Sequence, residues 1–186
     1  MKEEKAKKKN PGRGRETLFR ATYQNQSNLI QMADNKANII ISINTMIISS
    51  IIAISGYGVV AGKVDTMDTS VVIPLVLIIL SCLISVVFAI QAARPKVLSA
   101  KPEGSEMQKS SLLFFGVISQ HTQQSYLSEM KTLLDSDTEL YEHMTIDIYN
   151  QGLILKRKYG LLAFAYQVFM FGFIFSVIVF LGFLAF

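Results

Sequence analysis

Three long stretches without a charged side chain constrain this chain more than any other feature. They cover residues 37–62, 69–93 and 159–186. Each stretch exceeds the roughly 20 apolar residues that carry an α-helix across a bilayer. The sequence therefore predicts an all-α integral membrane protein with three transmembrane helices.

The composition argues against two classes of soluble protein. Hydrophobic residues make up 51% of the 186 residues and charged residues only 17%, which is poor in charge for a soluble single-domain enzyme of this size. Cys82 is the only cysteine and lies inside the second uncharged stretch. A secreted module held together by disulfides is therefore also unlikely on this composition.

The distribution of basic residues predicts the topology. Of the 18 Lys and Arg residues, nine precede the first span, one (Lys63) follows it, and eight lie between the second and third spans. By the positive-inside rule, the N-terminus and the long middle segment are cytoplasmic. Basic residues that flank apolar spans contact membrane lipid, so we expect no nucleic acid polymer as a partner.

These boundaries divide the chain into seven parts. The predicted order is a disordered basic arm (1–15), a cytoplasmic helix (16–36) continuous with transmembrane helix 1 (37–60), an outer loop (61–70), transmembrane helix 2 (71–93), a cytoplasmic helical segment (94–158) and transmembrane helix 3 (159–186). The extensions of the first and third spans have similar length, so we expect them to pair in parallel as a helical stalk.

Periodic apolar residues predict the faces of the cytoplasmic helices. On the first extension they are Leu18, Phe19, Tyr23, Leu29, Ile30 and Ala33. On the extension before the third span, Leu140, Met144, Ile148 and Leu155 form one face, and Glu139, His143, Asp147 and Asn150 form another that we interpret as solvated. Ser136 and Glu139 form a predicted capping box.

Two shorter features lie between these extensions. A helix is predicted over residues 120–134, with a buried side formed by Leu127, Met130, Leu133 and Leu134. The apolar patch at 110–119 is too short to span, so it either docks on the stalk or lies at the membrane surface.

Each predicted span carries a stripe of small or polar residues at helical spacing. The stripes are Asn38, Ser42, Thr45, Ser49, Ala53 and Gly56 in the first span, Ser81, Ser85, Ala89 and Ala93 in the second, and Gly172 and Ser176 in the third. Such stripes let helices pack closely, within one protomer or between protomers. The first stripe is alternatively a polar seam that becomes lined with water when the helices move.

Two sequence blocks carry a family resemblance. They are NLIQMADNKANIIISINTMIISS (28–50) and MTIDIYNQGLILKRKYGLLAFAYQVFMFG (144–172), with LLFFGVIS between them. In order and spacing, this pattern resembles the transmembrane effectors of Pycsar antiphage systems. The resemblance implies a non-catalytic effector in the bacterial inner membrane. It would sense cyclic CMP (cCMP) or cyclic UMP (cUMP) made by a neighbouring cyclase, and would then impair the membrane.

The chemistry of such a ligand suggests a set of binding residues. A cyclic nucleotide requires cations for its phosphate and amide or carboxylate groups for its base and ribose. Candidates near the predicted inner membrane boundary are Asn25, Asn28, Asp34, Lys36, Arg94 and Asp147. We predict a pocket between the two stalk helices, with Lys156 or Asp147 as partners of the Asp34 and Lys36 charges. Three spans are too few for a wide pore, so a homo-oligomer is expected if a pore forms.

Two other classes of function compete with this interpretation. An enzyme could hold a metal through His121, Glu139, His143 and Asp147, although such a helix face is more often solvated. A membrane-anchored interaction or scaffold protein would bind no nucleotide, and its stalk would bind a partner protein.

Overall fold

A computed structural model describes residues 11–62, 69–95 and 111–185 of the chain. The helices are α1 (Pro11–Val60), α2 (Thr69–Ala93), α3 (Phe115–Ile118), α4 (Gln123–Leu134) and α5 (Asp137–Ala185). They contain 91% of the described residues, among which there is no strand. Three of the helices, α1, α2 and α5, are long and apolar enough to cross a membrane. The predicted all-α fold with three span-length helices is confirmed.

The two longest helices each include a polar extension and a predicted span. Helix α1 has 50 residues and α5 has 49. Helix α1 starts at Pro11, and proline is common at the first helical position because its missing N–H has no partner there. Residues 11–15 are therefore helical, which corrects the predicted end of the disordered arm at residue 15. The rest of that arm, residues 1–10, lies outside the described residues.

The chain divides into two compact units. We call the first the polar unit; it comprises Met1–Leu29 and Lys96–Leu155. We call the second the span unit; it comprises Ile30–Pro95 and Lys156–Phe186. Helices α1 and α5 each contribute residues to both units, whereas α3 and α4 belong to the polar unit and α2 to the span unit.

The core of the polar unit forms around the predicted apolar patch. Its buried residues are Leu112, Phe114, Val117 and Leu133, with Met130, Leu140 and Ile154 packed against them. The described part of the patch, from residue 111, therefore docks on α4 and α5 within this unit.

Helix α4 is shorter than predicted and buries less of its apolar surface. Thr122 is its N-cap, with a hydroxyl that accepts a hydrogen bond from the Ser125 amide at 3.3 Å. Only Leu133 of the predicted buried side is fully buried, and Leu127 and Leu134 are 51% and 60% exposed. The prediction was wrong for these two leucines, because a helix that packs through one narrow line of residues leaves its flanking positions in solvent.

Within the polar unit, α1 and α5 run parallel, as predicted. Phe19 stacks on Tyr141 with ring centroids 5.4 Å apart, and further along both helices a β-carbon at Gly152 would lie 3.8 Å from Gln26 Nε2. Leu18 and Tyr23 belong to the predicted apolar face but are exposed. The face that packs keeps Phe19 from the predicted set and adds Gln26, which follows Phe19 at steps of three and four through Thr22.

The predicted solvated face of α5 is only partly solvated. Glu139 is exposed, His143 and Asn150 are half-buried, and Asp147 is buried. Gln151 Nε2 donates a hydrogen bond to Asp147 Oδ2 at 3.2 Å. Desolvation by burial raises the pKa of Asp147 above its ordinary value, and the hydrogen bond from Gln151 opposes this effect.

The core of the span unit consists mainly of small residues from three helices. Its buried members are Ala37, Ile40, Ala89, Ala92, Leu162 and Ala165. Alanine lets helix backbones approach closely. Close packing is a main source of stability between helices in a bilayer, because lipid solvates apolar side chains and the hydrophobic effect does not drive the helices together. The predicted small-residue stripes of α2 and α5 take part in this packing, since Ser81, Ser85, Ala89 and Ser176 are buried.

A chain of hydrogen bonds links all three helices of the span unit. Asn44 Nδ2 donates to Ser85 Oγ at 3.3 Å, and Ser85 Oγ donates to the Ala165 carbonyl at 2.9 Å. A second bond runs from Ser176 Oγ to the Pro74 carbonyl at 2.8 Å. These bonds join α1 to α2 and α2 to α5, and they fix how far each helix is shifted along its neighbour.

Replacing Gly172 should destabilise the span unit. A β-carbon at Gly172 would collide with the Ser81 side chain, and Ser81 Cα would be only 3.6 Å away. We expect Gly172→Ala to cost about 1–3 kcal/mol of unfolding free energy, the usual cost of overpacking. Gly182→Ala is the matched control, because a β-carbon there meets no atom within 4 Å. Thermal unfolding in one detergent compares both variants with wild type; equal midpoints for the two variants would contradict the close approach.

Removing the buried charge of Asp147 should stabilise the protein at neutral pH. A carboxyl group with a raised folded-state pKa destabilises the fold as pH rises above its ordinary value through the raised one. In Asp147→Asn the amide oxygen still accepts from Gln151, so we expect a higher unfolding midpoint than wild type at pH 7. The gain should shrink as pH falls below the ordinary carboxyl pKa of 3.8, where Asp147 is protonated in both the folded and the unfolded state.

The control for this experiment is Asp137→Asn. Asp137 is exposed in the first turn of α5, where a negative charge favours the helix. That substitution should lower the midpoint slightly at pH 7. A loss of stability in Asp147→Asn as large as in the control would show that burial does not penalise the Asp147 charge.

Candidate functional site

The polar unit contains a cavity of about 350 Å³ between the docked patch, α4 and α5. It is lined by Leu112, Val117, His121, Ser128, Glu129, Thr132, Leu133, Glu139 and His143. The three aliphatic residues are buried and form an apolar floor, whereas the serine, the threonine and both glutamates are exposed and form a polar rim. Small-molecule sites usually combine such a floor with a few polar groups in about 300–1,000 Å³.

The hydrogen bond of His143 fixes which of its ring nitrogens is a donor. The Leu112 backbone N–H donates to His143 Nδ1 at 3.1 Å. A ring nitrogen that accepts a hydrogen bond carries no proton, so the proton of the neutral imidazole is on Nε2. His143 therefore offers a hydrogen-bond donor at the cavity.

Glu129 is already engaged by neighbouring side chains. Ser125 Oγ donates to Glu129 Oε1 at 2.7 Å, and His121 Nε2 lies 3.3 Å from Glu129 Oε2. The other nitrogen of His121 is 2.9 Å from the Val117 carbonyl oxygen. Both oxygens of Glu129 thus have partners from the protein.

Glu139 offers an acceptor without a partner. Its backbone N–H donates to Ser136 Oγ at 3.4 Å, which is one half of the predicted capping box. The other half is missing, because the Ser136 N–H donates to the Leu133 carbonyl instead. Within the described residues, the Glu139 carboxylate has no hydrogen bond or ion pair, and it lines the cavity.

The metal site considered as an alternative is not assembled in the described parts of the chain. Among residues 11–62, 69–95 and 111–185, no group of three or more His, Cys, Asp or Glu side chains could hold a metal ion. His121 and His143 both line the cavity, but the buried Asp147, another of the residues considered, does not.

Three of the six predicted ligand residues lie in the polar unit. Asn25 and Asn28 are exposed on α1, and Asn28 Oδ1 accepts a hydrogen bond from Gln24 Nε2 at 3.0 Å. Asp147 is buried against Gln151. The two asparagines are therefore open to solvent, whereas the carboxylate is not.

The other three lie in the span unit. Asp34 forms an ion pair with Lys158, which is 8% exposed. The predicted partner Lys156 is exposed, so that assignment was wrong. Lys36 lies over the Tyr159 ring at 5.7 Å from its centroid, and Arg94 is exposed after the end of α2. The ligand-binding role of all six residues stays a prediction.

Sequence reasoning missed four polar residues on the packed faces of the long helices. In the described part of the chain, Gln26 Oε1, Asn44 Oδ1 and Gln151 Oε1 are buried without a hydrogen-bond partner, and Lys158 is buried in its ion pair. On α5 the spacing was the available signal, since Gln151 follows Asp147 by four residues and Lys158 follows Gln151 by seven, which is two helical turns.

The predicted polar seam of α1 lies on the outside of the span unit. Its residues, Asn38, Ser42, Thr45, Ser49, Ala53 and Gly56, are all exposed. The buried face of the same helix contains Ala37, Ile40 and Asn44. The hydroxyls of Ser42 and Thr45 donate to carbonyls one turn back at 2.9 and 2.8 Å. The seam is therefore not part of the packing among α1, α2 and α5.

Comparison with known proteins identifies the family. A family model described as the Pycsar effector protein domain matches residues 18–185. No curated protein and no solved structure matches the chain. The matched residues include most of α1 and the whole of α2, α3, α4 and α5. With a match over most of its length, the chain belongs to the family of Pycsar effector proteins.

Proposed function

We propose that this Pycsar antiphage effector binds cCMP or cUMP through its polar unit and in response impairs the membrane crossed by its span unit. The family match over residues 18–185 is the observation that carries this proposal. A neighbouring cyclase would supply the nucleotide, and the effector would act without catalysis. The membrane would be the bacterial inner membrane, with the N-terminus in the cytoplasm as the basic residues indicate.

The structure supports a division of labour between the two units. The polar unit has a cavity of about 350 Å³ that combines an apolar floor with a polar rim, as a base and ribose require. The span unit has three helices of membrane-spanning length. Because α1 and α5 continue unbroken through both units, a ligand that favours one arrangement of these helices in the polar unit would bias the spans as well.

An exposed face of α1 that suits self-association supports the second half of the proposal. Six small or polar residues of α1 are exposed in a segment that would face lipid. Because the Ser42 and Thr45 hydroxyls already bond within the helix, this face leaves room for a second helix to pack closely against it. A second copy of the chain can cover this seam and approach its backbone closely. An oligomer assembled through α1 would concentrate polar groups where the lesion forms.

The binding half is tested with full-length protein in proteoliposomes that contain a trapped dye. We expect cCMP or cUMP to bind in calorimetry and to release dye, and linear CMP to do neither. Ser128→Trp should weaken binding at least about tenfold, because the indole fills the cavity rim. Leu127→Trp is the matched control, since Leu127 is exposed on the same helix but does not line the cavity. If neither cyclic pyrimidine nucleotide binds or releases dye, the proposed function is wrong.

The self-association half is tested with a double variant of the seam, Ser42→Leu with Ser49→Leu. Two bulky side chains should prevent close helix approach, lower the oligomer fraction in cross-linking and reduce dye release several-fold. The control is Ile43→Leu with Ile54→Leu, which changes exposed α1 residues outside the seam. If the seam variant cross-links as much as the wild-type protein does, this face is not the contact between copies.

A further inference from the structure

We propose that the cavity recognises the amino edge of cytosine and so selects cCMP over cUMP, an inference that rests on the proposed function. The recognition groups are the Glu139 carboxylate, which has no partner within the described residues, and the Nε2–H of His143. Together these two side chains offer a ligand a hydrogen-bond acceptor next to a hydrogen-bond donor.

Glu139 and His143 are positioned to act on one base edge. They are four residues apart on α5, so their β-carbons are about 5–6 Å apart on one face of the helix. Both side chains line the cavity. Glu139 is an acceptor that no described residue engages, and His143 is a donor because its other nitrogen accepts from the Leu112 N–H.

Cytosine matches this order of groups, and uracil opposes it. The exocyclic amino group of cytosine donates, and its neighbouring ring nitrogen accepts. Uracil has a carbonyl oxygen in place of the amino group and an N–H in place of the acceptor. In the same position, uracil would set an oxygen against the Glu139 carboxylate and an N–H against the His143 N–H, leaving all four groups unsatisfied.

Charge determines which end of the nucleotide faces Glu139. The cyclic phosphate carries a negative charge and is repelled by a free carboxylate, so the neutral base faces Glu139. His121, which also lines the cavity, lies beside the Glu129 carboxylate and directly precedes the N-cap of α4. The partial positive charge at a helix N-terminus favours the phosphate there. The buried floor of Leu112, Val117 and Leu133 provides an apolar surface for the flat base.

The test measures binding of cCMP, cUMP and cyclic AMP to full-length protein in detergent or nanodiscs. We expect cCMP to bind about tenfold or more tightly than cUMP, the usual effect of mismatched hydrogen-bond pairs. In Glu139→Gln, the amide can donate to the uracil oxygen, so the preference should fall to near unity. Glu16→Gln is the matched control, because Glu16 is exposed on α1 in the same unit and does not line the cavity. Helical circular dichroism and the unfolding midpoint check that each variant folds.

A ligand series on the wild-type protein gives a second test that needs no variant. A cCMP analogue with two methyl groups on the exocyclic nitrogen has no donor there and should bind about tenfold more weakly than cCMP. Three outcomes would overturn cytosine recognition and leave the proposed function standing. The analogue could bind as tightly as cCMP, cUMP could bind at least as tightly as cCMP, or Glu139→Gln could keep the wild-type preference for cCMP. Cyclic AMP binding as tight as that of cCMP would overturn the choice of cytosine. Binding of neither cyclic pyrimidine would instead contradict the proposed function itself.

Discussion

The hydrogen bonds from Asn44 through Ser85 to the Ala165 carbonyl set the arrangement of the span unit. In a bilayer, apolar surface gives helices little reason to associate, because lipid solvates it as well as protein does. Close packing and satisfied polar groups must fix the helices instead. The buried amide nitrogen of Asn44 needs an acceptor and finds one in Ser85, so this chain of bonds aligns α1 with α2 and α2 with α5. Asn44 Oδ1 has no hydrogen-bond partner among the described residues. The surrounding alanines allow that approach.

Buried polar residues have the opposite effect on the packed faces of the polar unit. Gln26, Asp147 and Gln151 lie at positions where an apolar side chain would stabilise more. Asp147 has a raised pKa because burial disfavours its charge. Polar groups that are buried and incompletely paired leave a helix pair with less stabilisation than an apolar seam would provide. A helix pair of this kind can change its arrangement at lower cost, as the proposed response to a ligand requires.

The acceptor at the cavity arises from an incomplete capping motif. If the Glu139 carboxylate closed the capping box with the Ser136 N–H, it would be occupied at the start of α5. The Leu133 carbonyl takes that N–H instead, and the carboxylate remains at the cavity. His143 Nε2 is a donor because the Leu112 backbone N–H bonds to the other ring nitrogen, Nδ1. Two local features of the backbone thus produce a donor and an acceptor next to an apolar floor.

By itself, the sequence determined the all-α class and the three span-length helices. Uncharged stretches of this length leave few alternatives, because backbone groups in a bilayer must bond within a helix. Helical spacing also indicated that the stripes of α2 and α5 would pack. It could not determine which face of α1 turns inward, because small residues suit either helix packing or an exposed seam, and the predicted seam proved to be exposed.

The candidate site depended most on tertiary structure. Glu139 and His143 had been assigned to a solvated helix face, and the residues that complete the cavity come from segments distant in sequence. Only the docking of the patch at 111–119 on α4 and α5 brings a backbone N–H to His143 and encloses the floor. Hydrophobic periodicity locates a helix face, whereas the partner of each polar group depends on contacts between helices, which a single sequence does not contain.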